Sequence, residues 1–229
     1  MSLSNPTLLT GDDGHTRATT LPVIAIGAVI AAALLALLVS LLRGEDAVDT
    51  EFDSALATVE GRRLAELPED AGTDPAVGRL APTLLGEDLE GNDVALPTAG
   101  RPTVVLFVAH WCPHCQAEVP VVQQWLEAGR KPSGVDLRTV ATAMDQTRPN
   151  YPTSDWLDDE GWTSPVIADG DNHAASAYGL SAFPFWVALD ADGKVVQRVT
   201  GELTPAQIDA LFATAAASTP TPPAAFAPG

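Results

Sequence analysis

The chain has 229 residues, 30 acidic against 12 basic side chains, and a formal charge of −18. That balance argues against nucleic acid or an anionic bilayer surface as a partner, since both reward basic patches. Its length suits one globular domain with appendages, and the charge is spread along the chain rather than gathered into one patch.

In chain order, residues 1–20 are polar, with Gly11-Asp12-Asp13-Gly14 as a turn cluster, and read as a disordered tail. Residues 21–42 then run 22 positions without a charge. At about 1.5 Å per residue, such a helix crosses a hydrocarbon core of about 30 Å. A cleaved signal peptide would carry a shorter apolar core with a small-residue cleavage site after it. Here Ala31-Ala32-Ala33 lies inside the run and Leu-Leu-Arg-Gly follows it, so an uncleaved transmembrane anchor is expected. Arg17 and Arg43 flank the run on either side, which leaves orientation open on charge alone. Residues 43–78 are acidic, with an amphipathic stretch at Val48, Phe52, Ala55, Leu56 and Val59. They read as a solvated linker, with a short helix ended by Gly61 and Pro68 and a flexible run at 70–75.

Residues 79–217 carry the pattern of a folded domain. The uninterrupted apolar run 104–109 is that of a buried strand, and after it apolar residues recur at Val119, Val122 and Leu126 with helical spacing. A helix over 113–128 follows, with Pro120 inside it and a kink expected there. Cys112 thus falls at the N-cap and Pro113 at the first helical position. Free helix N–H groups and the positive end of the dipole favour a thiolate at Cys112. A second thiol, Cys115, lies one turn on, the arrangement that thiol–disulfide exchange needs. Zinc would require four ligands, yet these are the only cysteines, and His15 and His173 lie far off. No metal and no cofactor is implied. A structural bridge over so short a loop would restrain little chain entropy.

Beyond the cysteines, strands are expected at 136–141 and 165–168, with helices at 154–160, capped by Ser154 or Asp155, and at 172–178. Residues 185–190 and 195–200 read as a hairpin turned at Asp192-Gly193. A closing helix covers 203–217, with Thr204 as its cap and Pro205 at its first position. Residues 218–229 form a Pro/Ala tail that reads as disordered.

These features in this order resemble the thioredoxin superfamily, specifically its membrane-anchored TlpA/ResA-like branch of redoxin-type thiol–disulfide oxidoreductases. The likeness covers residues 79–217. It rests on Gly78-Arg79-Leu80-Ala81-Pro82 and the hairpin-like 88–94, then Trp111-Cys112-Pro113-His114-Cys115 with Glu118 and Pro120. Later come Tyr178-Gly179-Leu180, Phe183-Pro184-Phe185 and the 188–194 stretch. The implied fold is α/β, a central mixed sheet flanked by helices with an N-terminal β-hairpin extension, preceded by one transmembrane helix.

The resemblance also implies roles. Cys112 is the nucleophile and Cys115 the resolving thiol, the two forming the redox disulfide, with a cis-proline at Pro184 beside it. His114, if cationic, stabilises the Cys112 thiolate and makes the disulfide a better oxidant; His110 either adds to that field or is a spectator. Glu118 either takes a proton from Cys115, if buried, or faces solvent. Leu106 stands where thioredoxins place a buried acid. Trp111, Phe183 and Phe185 are expected as an apolar rim for extended substrates, with core packing the alternative for the phenylalanines. Pro113-His114 is the dipeptide of DsbA-type oxidants, whereas reducing members of the branch carry proline immediately before the second cysteine. The expectation is a tethered, extracytoplasmic oxidoreductase that donates disulfides to secreted proteins. The alternatives are a reductant of apocytochrome c or other disulfides, a thiol peroxidase and a tethered binding module. Peroxidases of related sequence set their cysteine in Thr-x-x-Cys, which this chain lacks. The implied partners are thiols and disulfides of secreted or membrane proteins, and a membrane redox partner that resets the cysteines.

Overall fold

An apolar run is a strand here because both of its faces find cover. The computed structural model describes residues 30, 32–35, 38, 52–69 and 73–217. Its elements are β1 (Thr58–Glu60), β2 (Thr83–Glu87), β3 (Asp93–Leu96), β4 (Thr103–Val108), α1 (Pro113–Glu127), β5 (Asp136–Thr142) and α2 (Thr153–Asp159). They continue with β6 (Val166–Asp169), α3 (His173–Tyr178), β7 (Phe185–Leu189), β8 (Val195–Thr200) and α4 (Pro205–Ala217). The chain divides into two compact units, Met1–Glu45 and Asp46–Gly229.

In the first unit, residues 30, 32–35 and 38 are helical and exposed. The rest of the expected anchor, and the expected tails at 1–20 and 218–229, lie outside the described residues. Among the described residues, no helix is long and apolar enough to cross a membrane.

In the second unit, five strands form a mixed sheet in the order β6-β5-β4-β7-β8. β4 is central, parallel to β5 from Thr103↔Asp136 to Val108↔Ala141 and antiparallel to β7 from Thr103↔Leu189 to Phe107↔Phe185. Every residue of β4 is buried. Because side chains alternate along a strand, Val104, Leu106 and Val108 enter a core shared with Cys112, with Cys115 and Trp125 of α1 and with Leu211 and Phe212 of α4. Val105 and Phe107 enter a second core with Tyr178 of α3 and Leu84 and Leu96 of the smaller sheet. Each such side chain gains about 1.5–3 kcal/mol on burial, which outweighs local propensity and sets β4 in the middle. The architecture is the thioredoxin fold that the resemblance implied, and β2 and β3 form its expected N-terminal hairpin.

Two expectations require correction. The described part of the acidic linker packs onto the domain. Phe52 is buried in the first core, residues 58–60 add a third strand to the hairpin (Val59↔Leu84), and Leu64 is buried in the second core. Backbone hydrogen bonds from Leu64 to Ala177 (2.8 Å) and from Leu67 to Gly179 (3.0 Å) hold this segment against α3. The amphipathic stretch is helical only at 52–54 among the described residues, because its later apolar positions serve a strand. Residues 70–72 lie outside the described residues. Secondly, α2 starts at Thr153, behind Pro152, with no side-chain cap from Ser154 or Asp155. Its first N–H instead donates to Asp53 Oδ2 at 2.9 Å, a partner 100 residues earlier. The closing helix does start as read: Thr204 Oγ1 accepts the Gln207 N–H, and Gln207 Oε1 accepts the Thr204 N–H, a reciprocal cap.

Candidate active site

The carboxyl end of β4 hands the chain to α1 through His110, Trp111 and Cys112. Cys112 occupies the N-cap position with extended backbone (φ −77°, ψ 119°), and Pro113 opens the helix. Both thiols are free and buried; Cys112 retains 6% exposure and Cys115 none. Cys112 is the more exposed of the two thiols, as expected, although it too shows little surface. Cys115 Sγ accepts the Ala109 N–H at 3.4 Å. Burial pushes the Cys115 thiol well above its ordinary value; the neighbouring Cys112 and Glu118 add to this, and the Ala109 N–H opposes it.

Glu118 follows Cys115 by three residues, one turn along the same helix face. It is buried, and both carboxylate oxygens accept the Leu203 N–H, at 3.1 and 3.0 Å. Burial pushes its pKa up to about 8, against the pull of that hydrogen bond, and the nearby Glu202 charge raises it further. Of the two alternatives read from the sequence, the buried acid is the one present. A buried carboxylic acid with this pKa, one turn from a thiol that resists ionisation, can carry protons to and from it near neutral pH.

His114 is exposed on the first turn of α1, and its Nδ1 lies 2.7 Å from Glu202 Oε1. The sequence gives no sign of this carboxylate, which stands 88 residues away in the loop before α4. Its only local mark is its place just ahead of a capped helix start. His110 is fully buried and takes no part in the thiol cluster. Its Nδ1 lies 2.7 Å from the Pro149 carbonyl and its Nε2 accepts the Asp145 N–H at 3.1 Å, which assigns the proton to Nδ1. Its carbonyl accepts from Gln116 Nε2 (2.9 Å), so the residue braces the 145–150 loop against α1.

Trp111 is half-buried, donates Nε1–H to the Ala143 carbonyl at 2.6 Å, and meets Phe183 edge-on at 6.1 Å. The Arg148 guanidinium lies 4.3 Å from the centroid of the Trp111 ring, a cation–π contact that the sequence reading missed. The Phe183–Pro184 bond is cis, and Pro184 is buried. Phe185 does not belong to the rim. It is fully buried, 5.8 Å from the Phe107 ring in the second core, because β7 is covered on both faces. Leu106, in place of the buried acid of thioredoxins, is fully buried in the first core.

Fold and thiol pair together define a thioredoxin-fold enzyme, a thiol–disulfide oxidoreductase of the TlpA/ResA-like type. The Redoxin family model matches residues 76–212, and the chain belongs to that family. Among its relatives is the thiol-disulfide oxidoreductase ResA of Bacillus anthracis, 28% identical over 134 residues, 58% of this chain and 75% of the relative. The sporulation thiol-disulfide oxidoreductase A of Bacillus subtilis is 24% identical over 145 residues, 63% of this chain and 87% of that one. Among solved structures, StoA from Bacillus subtilis is 25% identical with a TM-score of 0.51, covering 60% of this chain and 98% of its own.

Proposed function

We propose that the Cys112–Cys115 couple reduces disulfides in proteins outside the cytoplasm, with the domain tethered to the membrane through residues 21–42. One observation carries the reading: Glu118, buried, with its pKa near 8, one turn from the resolving thiol. A thiol raised as far as that of Cys115 does not attack at neutral pH without a base beside it.

The Cys112 thiolate attacks one sulfur of the substrate disulfide; that S–S bond breaks, and one substrate thiolate leaves and takes a proton from water. Glu118, in the fraction that is ionised, then takes the proton of Cys115, and the Cys115 sulfur attacks Cys112 Sγ. The mixed disulfide breaks, the second substrate sulfur leaves with the proton, and the electron pair has moved to the substrate. The chain is left with a Cys112–Cys115 disulfide, which a membrane redox partner must reduce. Trp111 and Phe183 supply an apolar wall beside the Phe183 backbone, where an extended substrate segment pairs.

The Pro113-His114 dipeptide favours the reverse traffic, donation of disulfides, as the second reading. That reading depends on an uncompensated charge at His114, whereas Glu202 lies within 2.7 Å of it. Equilibration of the full chain against glutathione buffers tests the direction. The midpoint is expected nearer the thioredoxin value of about −270 mV than −180 mV. A midpoint above about −180 mV would hand the function to the disulfide donor. Cys115→Ala is expected to accumulate mixed disulfides and Cys112→Ala to form none; equal trapping by both would remove the assigned roles.

A further inference from the structure

We propose that Glu202 is a positioning residue that sets the poise of the Cys112–Cys115 couple by holding the His114 imidazole on the first turn of α1. The loop between β8 and α4 presents two successive residues to α1. The Glu202 carboxylate meets His114 Nδ1 at 2.7 Å, and the Leu203 N–H donates to both oxygens of the Glu118 carboxylate at 3.1 and 3.0 Å. His114 and Glu118 lie four residues apart, on either side of Cys115, so one loop engages both ionisable groups that flank the resolving thiol.

The consequence is electrostatic. A protonated imidazole at the helix start adds to the positive end of the dipole and stabilises the Cys112 thiolate, and with it the dithiol form. A carboxylate in contact with that imidazole makes the pair neutral, and at the distance of a neighbouring side chain only a dipole's weaker field remains. Glu202 therefore holds the couple on its reducing side. Both partners are largely exposed, with side-chain exposures of 69% and 47%, so the effect is of surface-pair size and sensitive to salt. The helix start does not depend on the Glu202 side chain, because Thr204 and Gln207 cap α4 reciprocally. The Glu202 charge also acts on Glu118, whose ionisation it opposes. The inference rests on Cys112–Cys115 being the redox couple. The wild-type midpoint tests that reading, and the difference between wild type and variants tests this one.

The experiment equilibrates the full chain with glutathione at pH 6. Glu202→Gln is expected to shift the equilibrium constant about three- to fivefold towards the dithiol, about 15–20 mV for a two-electron couple. Glu202→Asp should restore the wild-type value. In a His114→Gln background, Glu202→Gln should have no effect, and in about 1 M salt the difference between wild type and Glu202→Gln should shrink. An unmoved constant, or the same shift with His114 absent, would overturn the proposal.

Discussion

Glu118 is a carboxyl group held where water cannot reach it, with one backbone N–H and no cation on its oxygens among the described residues. Its folded pKa of about 8 lies above the ordinary 4.5, so the native state holds a proton that the unfolded chain gives up between those two values. The sign follows from linkage. Its contribution to stability is complete below about pH 4.5 and is lost as pH rises through about 8, on the order of a few kcal/mol. Glu118→Gln keeps an acceptor for the Leu203 N–H and removes the ionisation. The variant is expected to be more stable than wild type at pH 8, with a flatter denaturation midpoint between pH 5 and 8. Resolution of the mixed disulfide should slow, and its rate should lose the inflection near pH 8. A variant whose stability tracks wild type across that range would show that the carboxyl group is not held neutral by burial.

At the scale of elements, the segment ahead of the hairpin is held by a buried ion pair. Arg198 of β8 donates Nε–H to Asp74 Oδ2 (2.9 Å) and Nη2–H to Oδ1 (2.6 Å), while Nη1 reaches the Ala65 and Tyr178 carbonyls at 2.9 and 2.8 Å. The two side chains are 0% and 8% exposed. Asp74→Ala would strand a buried guanidinium, and a loss of about 3–5 kcal/mol is expected in chemical denaturation. Lys194→Ala breaks the exposed pair with Asp192 and should cost no more than about 1 kcal/mol, which separates burial from pairing as the cause. The same segment shows why only part of the molecule is legible in the sequence. The strand–cysteine–helix unit is readable because its signals are local: a continuous apolar run, a proline at the first helical position, then helical spacing. The Asp74–Arg198 clamp spans 124 residues and the His114–Glu202 pair spans 88, and neither leaves a periodic trace. Residues 52–78 look like spacer because their charge dominates their composition, while a few apolar side chains, Phe52 and Leu64 among them, decide their fate. Phe185 is misplaced for a different reason, since a strand covered on both faces shows no polar alternation to mark an exposed side.

For the molecule as a whole, the proposed reading requires the thiol pair to lie on the oxidising side of a membrane, since protein disulfides persist there. The composition makes this testable without added tags. The chain has two cysteines in 229 residues, so Cys115→Ala leaves a single thiol, Cys112 at the N-cap of α1. In unlysed cells expressing that variant, a membrane-impermeant maleimide applied after mild reduction is expected to label Cys112 to the same extent as in lysed cells. The division into Met1–Glu45 and Asp46–Gly229 supplies the second arm. The full chain should remain with the membranes through a carbonate wash, whereas a chain beginning at Asp46 keeps Phe52, Asp53 and Asp74 and should stay soluble. Because those contacts are retained, the shortened chain should also keep the wild-type midpoint against glutathione. Labelling only after lysis would place the domain in the cytoplasm and defeat the extracytoplasmic reading, whereas full-length chain in the wash supernatant would remove the tether; both leave the thiol chemistry of Cys112 and Cys115 to be judged on its own potential.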